Sequence, residues 1–458
     1  MRWTVLRRYA TSLILAALVL PCAARTRPHY GGTLRVEIEG DPWGDSRNGP
    51  DGLARRLVFD GLTALDAKGD VQPALATEWE SSDNDHRWQF HLRAGVHFQD
   101  GASLTSNSVV AALNLACPQN CPWNAVRPAG SLVVFTTDAP SPHLPALLAR
   151  NEFLIAETAT PESGTANGPT GMVGTGSFAV KGFANGVLSL AANDTCWQGR
   201  PFVDAIAIQV HRSIRDQWLD LSVGRADVVQ VPPEMLREAR QQQLTLAASP
   251  PVTALALAVA DNGALANSQL RAAIAEAVDR GALFNVIFQK QGEITASLLP
   301  QALTGYAFLF PTERDLNKAH ELRGGLSSSP LTLSYDGNGA MQLAAQRIAI
   351  NLREAGFTVQ VTAGAQHADL ALRTLPIAGA EPAAAMENLL RSAGQYAPVA
   401  PRTPEALFNA EREFLSLDTL IPLIALPRAY ARAGRVRDFA LRADGTPDLA
   451  NASLEDAP

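Results

Sequence analysis

YGGTLRVEIEG at residues 30–40, LVFDGLTALDAKGDVQPALATEWE at 57–80 and WQFHLRAGVHFQDGASLTSNSVV at 88–110 decide the fold. In the first, Gly31-Gly32 precede an alternation from Leu34 to Ile38, the period-two pattern of a half-buried strand. In the second, a Gly69-Asp70 turn leads into Pro-Ala-Leu-Ala at 73–76, which has the form of a helix start. In the third, an aromatic run is expected to form a hairpin closed by Asp100-Gly101. Thr105 then stands where it can cap a helix that carries Val109, Val110 and Leu113 on one face.

Outward from this region, the chain opens with Arg2, Arg7 and Arg8, an apolar run from Ser12 to Pro21, and Cys22-Ala23-Ala24. These are the parts of a secretory signal cut after Ala24, and the run is too short to span a bilayer. Pro21 argues against lipidation of Cys22, and paired arginines are ordinary in such leaders, so the mature chain is expected to be periplasmic or extracytoplasmic. Removal of 1–24 takes the formal net charge from −7 to −10. With no run of lysine or arginine, that balance gives no footprint for nucleic acid or an anionic membrane. At 47% hydrophobic residues, 458 residues support a large core and more than one lobe. ACPQNCPW suggests a small Cys117–Cys121 bridge in an oxidising compartment, with Cys196 left as a buried small hydrophobe.

Farther along, VLSLAAN and AIAIQV read as strands, and RSIRDQWLDLSVGRADVVQV as a helix, a Gly224 stop and a strand. VTALALAVA is a buried strand, and Ser268 is expected to cap a helix with Leu270, Ile274, Ala277 and Val278 inward. Asp279-Arg280 is read as the end of that helix, with arginine at the negative end of the dipole. LTLSYD, AMQLAAQRIAINLREAG and FTVQVTAG form a strand–helix–strand unit with Gly356 as the stop. Thr403-Pro404 starts another helix with Leu407, Ala410, Phe414 and Leu417 inward, and IPLIALPRAY returns as a strand. The chain therefore crosses twice between two α/β units, near 250 and near 420.

The opening stretches, in that order and spacing, resemble the start of the family 5 extracellular solute-binding proteins, the capture subunits of peptide, nickel and oligosaccharide ABC importers. GTGSF at 174–178 resembles the family's Gly-Thr-Gly-Pro-aromatic loop, with Ser177 in place of proline. LRAAIAEAVDR at 270–280 resembles its Arg-x-Ala-x-x-x-Ala-x-Asp-Arg helix, and IPLIALPRAY at 421–430 resembles its return segment. The resemblance implies a two-lobe α/β fold of the type II periplasmic-binding kind, with a two-segment hinge. Lobe I would comprise 25–48, 168–249 and 420–458, with an insertion at 49–167, and lobe II would comprise 250–419.

The same resemblance implies a binding subunit, no enzyme, which closes on a small solute and delivers it to a membrane permease. A short peptide is the first expectation, with an oligosaccharide, a metal chelate or a ligand sensor without transport as alternatives. The candidate site residues are Gly40, Asp41 and Trp43 after the first strand, Thr175 and Ser177 in the glycine loop, and Arg373, Thr374 and Glu381 in lobe II. Asp41 either meets ligand or fixes the turn before Pro42, and Trp43 is either cleft wall or packing. Family peptide binders hold the α-ammonium with an aspartate of a Trp-x-x-Asp-x-x-Asp-Pro segment. The corresponding LALRTLPIAGAEPAAAMENLL lacks the tryptophan and the upstream aspartate, which leaves Glu381 or Asp369 to supply the carboxylate.

Other chemistry has little footing in the sequence. No nucleophile elbow, phosphate-binding glycine loop, H-E-x-x-H or dinucleotide fingerprint occurs. His91 and His97 read as solvated strand residues, and His320 and His367 are kept as candidates only for a metal chelate. No cofactor or resident metal is expected, and the expected state is a monomer.

Overall fold

The computed structural model describes residues 29–43, 52–118, 121–157, 172–306, 309–326, 329–337, 339–365, 367–377, 381–395 and 403–455. The leader expected at 1–24 lies outside these residues. A long mixed sheet contains, in chain order, β1 (Thr33–Glu37), β2 (Phe178–Ala184), β3 (Val187–Ala192), β4 (Ala205–Gln209) and β5 (Val228–Val231). It continues with β6 (Thr245–Val259), β7 (Leu331–Tyr335), β8 (Val359–Ala363), β9 (Leu370–Pro376) and β10 (Leu420–Arg432). Across the sheet the order is β8-β7-β9-β6-β10-β5-β1-β4-β3-β2, with Glu293–Ile294 paired to β10.

Each end of this sheet has a parallel centre and its own core. β1 lies parallel to β4 and β5, and Leu34, Val36, Phe178, Ile206 and Ile208 fill the first lobe. β7 lies parallel to β8 and β9, and Leu255, Leu333, Ile348 and Leu352 fill the second. The crossover helix Ala340–Glu354 buries Ala344, Ala345, Ile348, Ala349 and Leu352, a stripe at helical spacing. Gly356, at φ +88°, ends that turn in a conformation that side chains disfavour.

Two strands join the lobes. Thr245–Ala248 of β6 pairs with Arg432–Ala429 of β10 in the first lobe, and Thr253–Ala258 pairs with Leu426–Leu420 in the second. Between these segments the pairing slips at Ala248/Pro251 and again at Pro251/Thr253, and Pro251 faces Pro427. Neither proline has an N–H to donate, so the ladder is thinnest where the chain passes between lobes. The return crossing thus sits at Leu426–Arg428, a few residues beyond the position near 420 expected from sequence.

The segment between β1 and β2 carries its own small sheet, in the order Ala76–Ser82, Arg87–Leu92, Leu132–Thr136, Ala125–Ala129. Phe135 packs edge-on against Phe90 and Trp123, with ring centroids 5.4 and 5.2 Å apart. The helix Ser106–Ala116 covers this core, capped by Thr105 and Ser108 in a reciprocal box, and Cys117 and Cys121 are bonded just beyond it.

Five local readings need correction. Pro73–Ala76 starts no helix: Val71–Pro73 and Ala76–Ser82 are strands, whose edge and cross-strand partners override the proline signal. Arg87–Leu92 pairs with Ala76–Ser82 and Leu132–Thr136, so Asp100-Gly101 closes only a small turn in which Phe98 N–H bonds Ala102 O. The cap of Ser268–Ala277 is Asn267, and Asp279 begins the next short helix by accepting from Ala282 N. Leu417 lies past the end of Pro404–Leu415 and is half exposed.

Candidate functional site

A cavity of about 510 Å³ lies between the lobes, within the range of small-molecule sites. The first lobe contributes Glu39, just past β1, Gln230 at the end of β5, and Glu234 and Met235 in the turn that follows β5. The second lobe contributes Gly337, Gly339 and Met341, past β7, and Thr374 of β9. Thr253 and Leu426–Tyr430 of the joining strands form the back wall. The lobe residues that follow β1, β5 and β7 thus lie at carboxyl ends of parallel strands, where open α/β sheets leave a crevice. A second compartment of about 270 Å³ adjoins it, with Met341 and Thr374 lining both, and is lined further by Asp336, Arg373 and Ser392.

The local chemistry fixes the first-lobe wall. Glu39 N–H donates to Gln230 Oε1 at 2.7 Å, and Gln230 N–H donates to Gln217 Oε1 at 2.9 Å, which ties the end of β1 to β5. Pro232 and Pro233 hold the turn that presents Glu234. Burial pushes the Glu39 carboxyl above its usual range, and burial followed by the charge of Glu39 does the same to Glu234. Among the described residues no ion pair engages either carboxylate or the Arg373 guanidinium. Arg428, on the back wall, donates from Nε to Thr253 Oγ1 at 3.3 Å, and its charge also acts on buried Asp444.

Described residues of the two lobes meet at several places, in one of which Arg240 Nη1 donates to Gln291 Oε1 at 3.3 Å. His143 Nδ1 lies 3.0 Å from Glu381 Oε2, and Arg150 Nη1 donates to Asn388 Oδ1 at 3.0 Å. A Cβ at Gly339 would stand 4.0 Å from Glu234 Oε1. The His143 and Arg150 contacts tie residues of the inserted segment to the helix Pro382–Ser392 of the second lobe.

The sequence-stretch candidates divide accordingly. Arg373 and Thr374 line the cleft. Gly40, Asp41 and Trp43 follow Glu39 but turn away: Asp41 accepts from Trp43 N–H at 2.7 Å, and Trp43 packs on the first-lobe core. Thr175 and Ser177 are buried beneath the insertion, where Thr175 Oγ1 donates to Asp60 Oδ2 at 2.8 Å and Ser177 faces Cys196. The loop's glycines serve close packing, since a Cβ at Gly176 would fall 2.6 Å from Leu57 O. Glu381 caps its helix through Ala384 N–H at 2.8 Å in addition to its His143 contact. Asp369 Oδ2 accepts from Thr332 N–H at 2.8 Å, near the opposite end of β9 from Arg373 and Thr374. Neither acid proposed for the ammonium role lines the cleft, whereas Glu39 and Glu234 do. The sequence signal for these two was available: both stand just past apolar strands, the position rule that drew attention to Trp43.

The family model described as "Bacterial extracellular solute-binding proteins, family 5 Middle" matches residues 70–388. A probable di/tripeptide-binding protein 5 of Pseudomonas aeruginosa is 25% identical over 418 residues, covering 78% of this chain and 76% of that one. Protein XP55 of Streptomyces lividans is 27% identical over 409 residues, covering 79% and 74%. Among solved structures, the Escherichia coli murein tripeptide binding protein MppA superposes with a TM-score of 0.81 at 16% identity, over 94% of this chain and all of that one. NikA from Staphylococcus aureus, in complex with Ni(L-His)2, gives 0.78 at 16% identity over 92% and 100%. These structural likenesses carry the two-lobe fold.

Proposed function

Because the chain belongs to the bacterial extracellular solute-binding proteins of family 5, we propose that it is the substrate-binding subunit of an ABC importer and captures a short peptide between its lobes. The observation that carries this reading is the cleft itself, lined by polar residues from both lobes and backed by a proline-interrupted strand pair. A ligand that touches both walls favours the closed arrangement, and only that difference in affinity drives closure. The closed form then docks on a membrane permease whose partner ATPase supplies the energy, so the chain itself performs no turnover. Export by residues 1–24 places it outside the cytoplasm, and it acts as a monomer. Among the described residues, no helix is long and apolar enough to cross a membrane.

Peptide is favoured over sugar or metal chelate by the paired carboxylates of the cleft and by the di/tripeptide-binding relative. A thermal-shift screen of the chain from Arg25 onward, against short peptides, oligosaccharides and nickel–histidine mixtures, tests it. A ligand at a hundredfold over its dissociation constant adds about 2.7 kcal/mol, a shift of several degrees. Stabilisation by peptides supports the reading, and stabilisation by sugar or chelate with none by peptides refutes the substrate.

A further inference from the structure

The cleft is electrically two-ended. Its larger compartment holds Glu39 and Glu234, both from the first lobe, and the smaller holds Arg373 from the second. The two compartments are neighbours, and Met341 and Thr374 line both. We infer that the ligand is a free-ended zwitterion, its ammonium seated between Glu39 and Glu234 and its carboxylate at Arg373. This rests on the peptide-capture reading and adds the direction in which the peptide lies.

The geometry supports both ends. A cation between Glu39 and Glu234 relieves the repulsion of two carboxylates that share one cavity and have no ion-pair partner among the described residues. Arg428 in the same compartment does not cancel them, since it is one charge against two and is directed partly at Thr253 and Asp444. At the other end, the Arg373 guanidinium offers a fork of donors suited to a carboxylate. Asp336 shares that compartment, and no ion pair joins it to Arg373. The acids first considered for the ammonium, Glu381 and Asp369, are occupied by a helix cap with His143 and by the Thr332 N–H. The anchor has moved to the opposite wall.

The test is a calorimetric titration of a defined set of di-, tri- and tetrapeptides, each free, N-acetylated or C-amidated, against the parent chain and the variants Glu234→Gln and Arg373→Gln. Losing a charge-assisted hydrogen bond at partly exposed groups such as these weakens binding by roughly tenfold or more. Each block should therefore weaken binding by about that factor to the parent chain. N-acetylation should cost less in Glu234→Gln than in the parent chain, because only Glu39 then faces the ammonium, and C-amidation should matter little once Arg373→Gln is present, which assigns each terminus to its wall. The blocked peptides need no variant, so a misfolded variant cannot hide the answer. Equal binding of free and blocked peptides overturns this inference and leaves peptide capture standing, as does a reversed assignment of the two ends. Binding of no free peptide overturns both.

Discussion

Replacing Asp227 by asparagine should lower stability sharply, because its carboxylate ties the two strands that present the cleft carboxylates. Asp227 is fully buried just before β5, and its Oδ2 accepts from Arg35 N–H and Nε and from Arg435 Nη2 at 2.8, 2.9 and 2.8 Å. Its Oδ1 accepts from Arg35 Nη2 and Arg435 Nε, both at 2.8 Å. An asparagine has one acceptor oxygen, so its best orientation still sets an amide NH2 against the two donors at Oδ1. Charged hydrogen bonds contribute about 1.5–3 kcal/mol each. Because the side chains of Arg35 and Arg435 are 37% and 35% exposed, water replaces part of what is lost. The net cost is about 3 kcal/mol, the lower end for breaking a buried pair. For a chain of this size, whose unfolding entropy is about 0.9 kcal/mol/K, that is a fall in Tm of about 3 °C, read by circular dichroism. The arginine pair holds the Asp227 carboxyl below its usual range, so its contribution is present above the unfolded pKa of about 3.9 and is lost as pH falls through the lower folded value. The difference between parent and variant should therefore be the same at pH 7 and pH 5. A fall of less than about 2 °C, or a difference that disappears by pH 5, refutes the reasoning.

Three further outcomes are expected. Gly176→Ala places a methyl 2.6 Å from the Leu57 carbonyl and should destabilise by about 1–3 kcal/mol or more, whereas Gly182→Ala, with open space around it, should be nearly neutral in the same melt. Asn388→Ala removes the acceptor that Arg150 reaches across the lobes and should weaken ligand binding by about tenfold, measured by calorimetry, with little change in the unliganded Tm. Affinity for a cationic ligand should fall on acidification: the ligand's charge lowers the pKa values of Glu39 and Glu234 from their raised free-state values, so the gain is complete above those values and is lost as pH falls through the lower bound-state ones. Titrations at pH 7.5 and pH 5 in buffers of different ionisation enthalpy read both the affinity and the proton release.

How legible the molecule was depended on the range of the deciding interactions. The second-lobe strand–helix–strand unit was plain because its apolar stripe, from Ala344 to Leu352, and its stop at Gly356 are local. The insertion was misread where pairing is non-local: Arg87–Leu92 takes partners 41 to 49 residues on, at Leu132–Thr136, and no turn signal near Asp100 announces it. At the candidate site, Arg373 and Thr374 line the cleft, whereas Thr175 and Ser177 of GTGSF are buried, because a glycine-rich loop can serve backbone packing as well as a ligand. Glu39 and Glu234 are separated by almost 200 residues and share a cavity only through the parallel pairing of β1 with β5. No local pattern brings them together.

The most direct measurement is a crystal structure of the chain with a free peptide that raises its unfolding temperature. The account predicts the peptide in the interlobe cleft, enclosed by both walls, with its amino end at Glu39 and Glu234 and its carboxyl end at Arg373. A peptide bound elsewhere, or touching one lobe alone, would contradict it.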